Sequence, residues 1–153
     1  MGDENMRQYE YDENGNVVKK IITCNQCGKY KIYNKAELAI YLDYGNKMNN
    51  IEYNFSYGSS FDLQEWQYDL CEKCLLEHIK SFKYVPKGFM DNGSLQLSDE
   101  QRQKLFENWK NTNEWDELSV LSYDELVDLV GYFDVEYINN AILKHHPDRK
   151  LIE

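Results

Sequence analysis

Two cysteine pairs, Cys24-x-x-Cys27 and Cys71-x-x-Cys74, constrain this chain more than any other feature it carries. A CxxC turn places two sulfurs on one side of a tetrahedral metal, and two such turns facing each other close the site with Zn–S bonds of ~2.3 Å. Residues 28–70 lie between the pairs, a segment of 43 that exceeds the usual spacing of zinc ribbons. The chemistry tolerates that length only if the insert folds back and returns the chain. Cys24, Cys27, Cys71 and Cys74 are therefore the predicted metal ligands, and structural Zn2+ is the predicted cofactor.

The sequence leaves other uses of these thiols open. Cys71, at the start of a helix, suits a redox-active CxxC, although two separate pairs and the lack of a βαβ pattern speak against it. Disulfides would require an oxidising compartment. His78 lies one turn beyond Cys74 and could replace one cysteine. Catalytic zinc is disfavoured, because four thiolates leave no position for water. No Gly-rich phosphate loop or nucleophile–base pattern appears either, so the chain reads as non-enzymatic.

The insert does carry the pattern of a returning segment. RQYEYDENGNVVKKIIT (residues 7–23) alternates around an Asn14-Gly15 turn and predicts a hairpin leading into the first pair. NKAELAIYLDYG reads as a short helix, with Asn34 as cap and Gly45 as stop. Ile51, Tyr53, Phe55 and Tyr57 alternate with polar residues, as do Trp66, Tyr68 and Leu70. They predict two half-buried strands joined by a loop around residues 58–63. The second strand runs into Cys71, and Leu75, Ile79 and Phe82 then share a helical face.

This order, with knuckle, hairpin and helix carrying the second pair, resembles the treble-clef group of zinc fingers. Within that group, FSYGSSFD…EWQYDLCEKCL looks like a type of small, uncharacterised bacterial and phage protein. The resemblance covers about residues 23–82. It implies a zinc-stabilised fold held by Cys24, Cys27, Cys71 and Cys74, and it implies no activity.

Beyond the turn formers of MDNGSLQ, the hydrophobic period switches from two to about 3.6. Ser98 with Gln101 and Ser122 with Glu125 spell capping boxes, and Leu121 with Leu126 has staple spacing. Asp134 can cap a last helix, with Phe133 and Ile138 as its staple and Pro147 as its stop. The expected fold is α+β: a zinc-finger-like module over residues 1–89, a linker over 90–97 and an acidic helical module over 98–153. The tail KHHPDRK contains the His-Pro-Asp of J-domain cochaperones, but VEYINNAILK before it lacks the positive charge of their first helix. His145 and His146 are read as complements to the negative end of the last helix rather than as metal ligands.

The net charge of −10 is unevenly spread. Residues 91–153 hold six Lys/Arg against fourteen Asp/Glu. Such a field repels phosphates and attracts basic surfaces. The favoured function is a zinc-stabilised protein-binding module, with a basic, nucleic-acid-processing partner as the concrete case, met in the manner of an inhibitor or immunity protein. Thirteen tyrosines, together with Trp109 and Trp115, offer aromatic contact area, or ordinary packing. The alternative is nucleic-acid binding through Lys19, Lys20, Lys29, Lys31 and Lys35. No run of eighteen apolar residues occurs. The opening MGDENMRQYE has no signal-peptide core, and Met6 stands where N-myristoylation wants Ser or Thr. A cytoplasmic location follows as the expectation.

Overall fold

A computed structural model describes residues 6–34, 48–91 and 95–153. Among the described residues the chain is mixed α+β, with five strands in two small antiparallel sheets and four α-helices. It divides into two compact units, Met1–Ser81 and Phe82–Glu153.

In the first unit, β1 (Arg7–Tyr11) and β2 (Val17–Thr23) form the expected hairpin. Asp12 organises the turn: its Oδ1 accepts the N–H groups of Asn14 and Asn16, both at 2.9 Å. Gly15 closes it at φ +80°, a left-handed conformation costly for any residue with a Cβ. A third strand, β3 (Tyr30–Asn34), pairs with the far edge of β2. Alternation does not announce this strand, because Lys31 and Tyr33 turn inward while Ile32 and Tyr30 stay exposed. Asn34, the expected helix cap, ends β3, and the remainder of the expected helix lies outside the described residues.

The second sheet is the hairpin of β4 (Asn49–Asn54) and β5 (Glu65–Leu70). Its register sets Ile51 opposite Tyr68 and Tyr53 opposite Trp66, so these four share one face as expected, whereas Phe55 and Tyr57 of the expected stripe fall beyond the end of β4. Only the base of that face is covered. Leu70 is buried with Ile22, Cys24, Met48 and Cys74, and Tyr33, Ile51, Tyr68 and Leu75 pack around them. The last of these lies on α1 (Glu72–Lys80), which follows β5 directly. Among the described residues, two of the five buried side chains in this core are cysteines.

The second unit is helical: α2 (Asp99–Thr112), a 3-10 turn (Glu117–Val120), α3 (Tyr123–Asp128) and α4 (Val135–His145). Both capping boxes form. Ser98 Oγ accepts from Gln101 N at 3.2 Å while Gln101 Oε1 accepts from Ser98 N at 2.9 Å. Ser122 and Glu125 repeat the arrangement at 3.2 and 2.7 Å. Replacing Ser122 with Ala is expected to cost about 1 kcal/mol. Amide hydrogen exchange at Leu126 measures it, as a loss of protection of roughly fivefold. Asp134 stands at the N-cap of α4, but its side chain makes no capping hydrogen bond. The packing of Phe133 and the burial of Ile138 fix that helix start instead.

Leu95, Leu118, Leu121, Leu126, Ile138, Ala141 and Ile142 form the core of this unit. Leu105, Phe106 and Trp109 of α2 are buried as well. Residues 82–89, which turn chemistry alone leaves with the first module, pack on α2. The Phe89 ring meets Phe106 and Trp109 with centroids at 5.2 and 5.6 Å, and Lys110 Nζ donates to Phe82 O at 2.9 Å. Among the described residues no helix is long and apolar enough to cross a membrane.

Candidate metal centre

Strand β2 ends at Thr23 and delivers Cys24 into a tight turn. Gly28 N–H donates to Cys24 O at 2.9 Å, and Cys24 N–H donates to Lys29 O at 2.7 Å. Gly28 takes φ +74°, so the residue after the first pair has to be one that tolerates the left-handed region. The second pair straddles a helix start. Cys71 is the N-cap of α1, Cys74 lies in its first turn, and Leu75 N–H donates to Cys71 O at 2.9 Å.

Two reciprocal hydrogen bonds bring these turns together. Asn25 N–H donates to Asp69 O and Asp69 N–H donates to Asn25 Oδ1, each at 2.8 Å. The residue after Cys24 is thereby tied to the residue two before Cys71. The Asp69 carboxylate is buried and receives both Nε and Nη2 of Arg7, each at 2.6 Å. A fork of this kind is the strongest ion-pair geometry available to side chains, and here it anchors β1 to β5. Periodicity places Asp69 on the polar, solvent-facing side of its strand. The structure corrects this, because Arg7 reaches across from another strand and covers it.

The four sulfurs converge. All lie within 4.8 Å of one another, and Cys27 Sγ to Cys71 Sγ is 3.8 Å. Thiolates ~2.3 Å from a shared ion sit about 3.8 Å apart at tetrahedral corners. A disulfide would need ~2.05 Å, and all four cysteines are free. Cys24 and Cys74 are buried, Cys71 is half-buried and Cys27 is exposed.

Their electrostatics fit a cation. Burial opposes ionisation of Cys24, yet the backbone N–H groups of Cys27, Cys71 and Gln26, with the Cys27 thiol, bring it down to about 6. Cys74 moves the other way: burial comes first, followed by contacts with Cys71, Cys27 and Cys24 and the charge on Cys24. The helix start alone would favour a Cys74 thiolate; burial among three other sulfurs outweighs it. Burial and the neighbouring sulfurs oppose a thiolate at Cys74, and a bound dication removes that obstacle. Tetrahedral four-sulfur sets belong to zinc or to iron–sulfur chemistry.

The remaining candidates fall elsewhere. His78 is exposed on α1, and the cluster of potential ligands contains the four cysteines without it. His145 Nε2 lies 2.9 Å from Asp116 Oδ2, and His146 Nε2 lies 2.9 Å from Leu121 O. Burial would raise the Asp116 carboxyl, but hydrogen bonds from Lys144 and His145 hold it below its ordinary range.

The lysines do not form one strip. Register puts Lys20 and Lys31 on one face of the first sheet and Lys19 on the other. Lys19 pairs with Glu10 at 2.8 Å, while Lys20 and Lys31 lie over the rings of Tyr9 and Tyr33. Lys29 lines a cavity of about 590 Å³ beside Cys71, and Lys35 is outside the described residues.

Local sequence pattern does not mark Arg7, Asn25 or Asp69, since their partners are 62 and 44 residues away. In comparisons with protein-family models, curated proteins and solved structures, the chain matches none. On its own geometry the site is a four-cysteine cluster suited to one metal ion.

Proposed function

We propose that the ion is zinc, that its role is structural, and that the chain is a protein-binding module whose zinc-anchored hairpin presents the contact surface. Four thiolates fill a tetrahedral shell and leave no place for substrate or water. The succession of knuckle, hairpin and helix with the second pair supports a treble-clef reading of the first unit.

The observation that carries the binding role lies at the far end of the second hairpin. There Tyr53, Phe55, Phe61 and Trp66 pack ring to ring, with centroids 4.6 to 5.3 Å apart. Tyr53, Phe61 and Trp66 are exposed and Phe55 is half-buried, and in the same loop Tyr57 is 95% exposed and Leu63 is 90% exposed. Leu63 also adopts φ +64°, a left-handed conformation that a leucine seldom takes. The loop is held by its own hydrogen bonds, among them Phe55 N to Gln64 O at 2.9 Å and Trp66 Nε1 to Gln64 Oε1 at 3.0 Å. An ordered, strained, water-facing apolar tip has the character of a binding anchor. Glu52 and Glu65, paired with Gln67 and Asn54, lie on the other face of the hairpin, so the tip itself calls for an apolar socket, and the preference for a basic partner rests on the net charge of −10. A nucleic-acid-processing protein, met in the manner of an inhibitor or immunity protein, is the concrete case.

Affinity purification from the source cell, wild type against Leu63→Ser/Trp66→Ser, tests this. A stoichiometric protein partner lost at least tenfold in the variant is expected, since central aromatic anchors carry about 2 kcal/mol or more each. Recovery of no partner, or equal recovery by both, would refute it. The nucleic-acid alternative draws less support from lysines divided between two faces of a sheet. A mobility shift at ~50 mM salt, where phosphate contacts are strongest, would revive it.

A further inference from the structure

The helical unit has an open groove of about 580 Å³, within the ~300–1,000 Å³ range of ligand-binding clefts. Its walls include Glu114, Trp115, Asp116, Tyr137, Asn140 and Lys144. Trp115 is 60% exposed and Tyr137 53% exposed. Neither is among the residues that build the core of this unit. We infer that this groove receives a cationic side chain, that of an arginine on a basic peptide segment of the partner. The inference rests on the proposed protein-binding role and names the chemistry of a second contact.

Three features of the groove select a cation over an anion or a neutral apolar group. Two exposed aromatic side chains, Trp115 and Tyr137, line it, and aromatic rings attract guanidinium and ammonium ions through the negative charge above the ring. Two carboxylates, Glu114 and Asp116, line it against one ammonium, Lys144. Lys144 Nζ pairs with Asp116 Oδ2 at 3.0 Å and His145 Nε2 lies 2.9 Å from the same oxygen, so Lys144 and Asp116 offset each other and Glu114 is the carboxylate that meets an incoming cation. Finally, residues 113–116 follow directly on the end of α2, which closes at Asn113 in a left-handed conformation of φ +60°. The groove therefore meets the negative pole of a fourteen-residue helix.

The surroundings agree, since residues 91–153 hold fourteen acidic against six basic side chains. Arginine suits the site better than lysine. Its planar head stacks on an indole or phenol face while its N–H fork still reaches a carboxylate. Asn140, exposed on α4, adds an amide oxygen within the same walls.

The test uses the full, metal-loaded chain labelled with ¹⁵N and a capped Gly-Arg-Gly-Arg-Gly peptide at ~0.15 M salt, where loose surface attraction is screened. Its control is the same peptide with citrulline for arginine, equal in shape and lacking the charge. The Trp115 indole N–H resonance is expected to shift and saturate with the arginine peptide and to stay in place with citrulline. Trp115→Ala is expected to weaken binding roughly tenfold and Glu114→Gln several-fold. Both positions are exposed, and the amide spectrum reports whether each variant is folded.

Shifts that spread over the acidic surface without saturating would overturn the inference. So would equal binding of the citrulline peptide, or unaltered binding by Trp115→Ala. The Leu63→Ser/Trp66→Ser variant separates this result from the wider role. If it loses a partner while the peptide fails to bind wild type, the groove is wrong and the binding module stands. If the peptide binds while no partner is ever recovered, the groove stands and the module reading fails.

Discussion

Replacing Cys74 with Ser is expected to unfold residues 6–34 and 48–81 and to leave the helical unit folded. Among the described residues the core of the first unit has five buried side chains, and two of them, Cys24 and Cys74, are proposed ligands. Small cores rarely supply more than ~3–5 kcal/mol, whereas structural zinc contributes an apparent ~10–16 kcal/mol at neutral pH. Losing one of four thiolates weakens the metal's hold so far that the remaining apolar core cannot keep the unit folded. The helical unit has its own core, from Leu105 and Phe106 to Ile138 and Ile142, and contains no cysteine. Amide NMR spectra separate the two outcomes. Strand resonances of β1 to β5 should collapse while those of α2 to α4 hold, and a strong chelator added to wild type should do the same. Strand resonances that survive both treatments would show that the sulfurs are dispensable for folding.

Asp69→Asn is expected to produce the second largest loss, at a residue that touches no metal. The carboxylate is buried and holds Arg7 through two 2.6 Å contacts. Removing one member of a buried pair strands the other charge and costs about 3–5 kcal/mol. Arg7 is 23% exposed, which places the cost at the lower end. Asp69 and Asn25 tie the two knuckles together, so part of the loss should emerge as weaker metal binding. If the full loss of about 3 kcal/mol were expressed there, a chelator competition would read roughly 100-fold, so a shift between about tenfold and 100-fold is expected. Arg7→Met combined with Asp69→Leu should recover much of it, because the pair is then replaced by apolar groups and the backbone bonds to Asn25 remain. A double variant as impaired as the single one would assign the loss to the backbone strap instead.

The contrast between these two sites shows what was legible in the chain. The convergence of the four cysteines was readable because CxxC pairs have a strict spacing, and the first hairpin because Asn14-Gly15 is local turn chemistry. Both capping boxes were readable for the same reason, as signals only four residues long. The Arg7–Asp69 pair was unreadable, since a partner 62 residues away leaves no trace in periodicity. Strand β3 was missed because its inward positions, Lys31 and Tyr33, are polar-tipped, whereas its apolar Ile32 faces outward. The aromatic hairpin misled in a further way. Alternation correctly placed Tyr53 and Trp66 on one face, but it cannot tell a covered face from an open one. Whether another element packs there is a tertiary fact.

Zinc-edge X-ray absorption on the purified, untagged chain bears most directly on whether one ion joins the two knuckles. One zinc per chain is expected, in a shell of four sulfurs at ~2.3 Å. A chain without stoichiometric metal, or a shell in which nitrogen or oxygen replaces sulfur, would contradict a site built from Cys24, Cys27, Cys71 and Cys74.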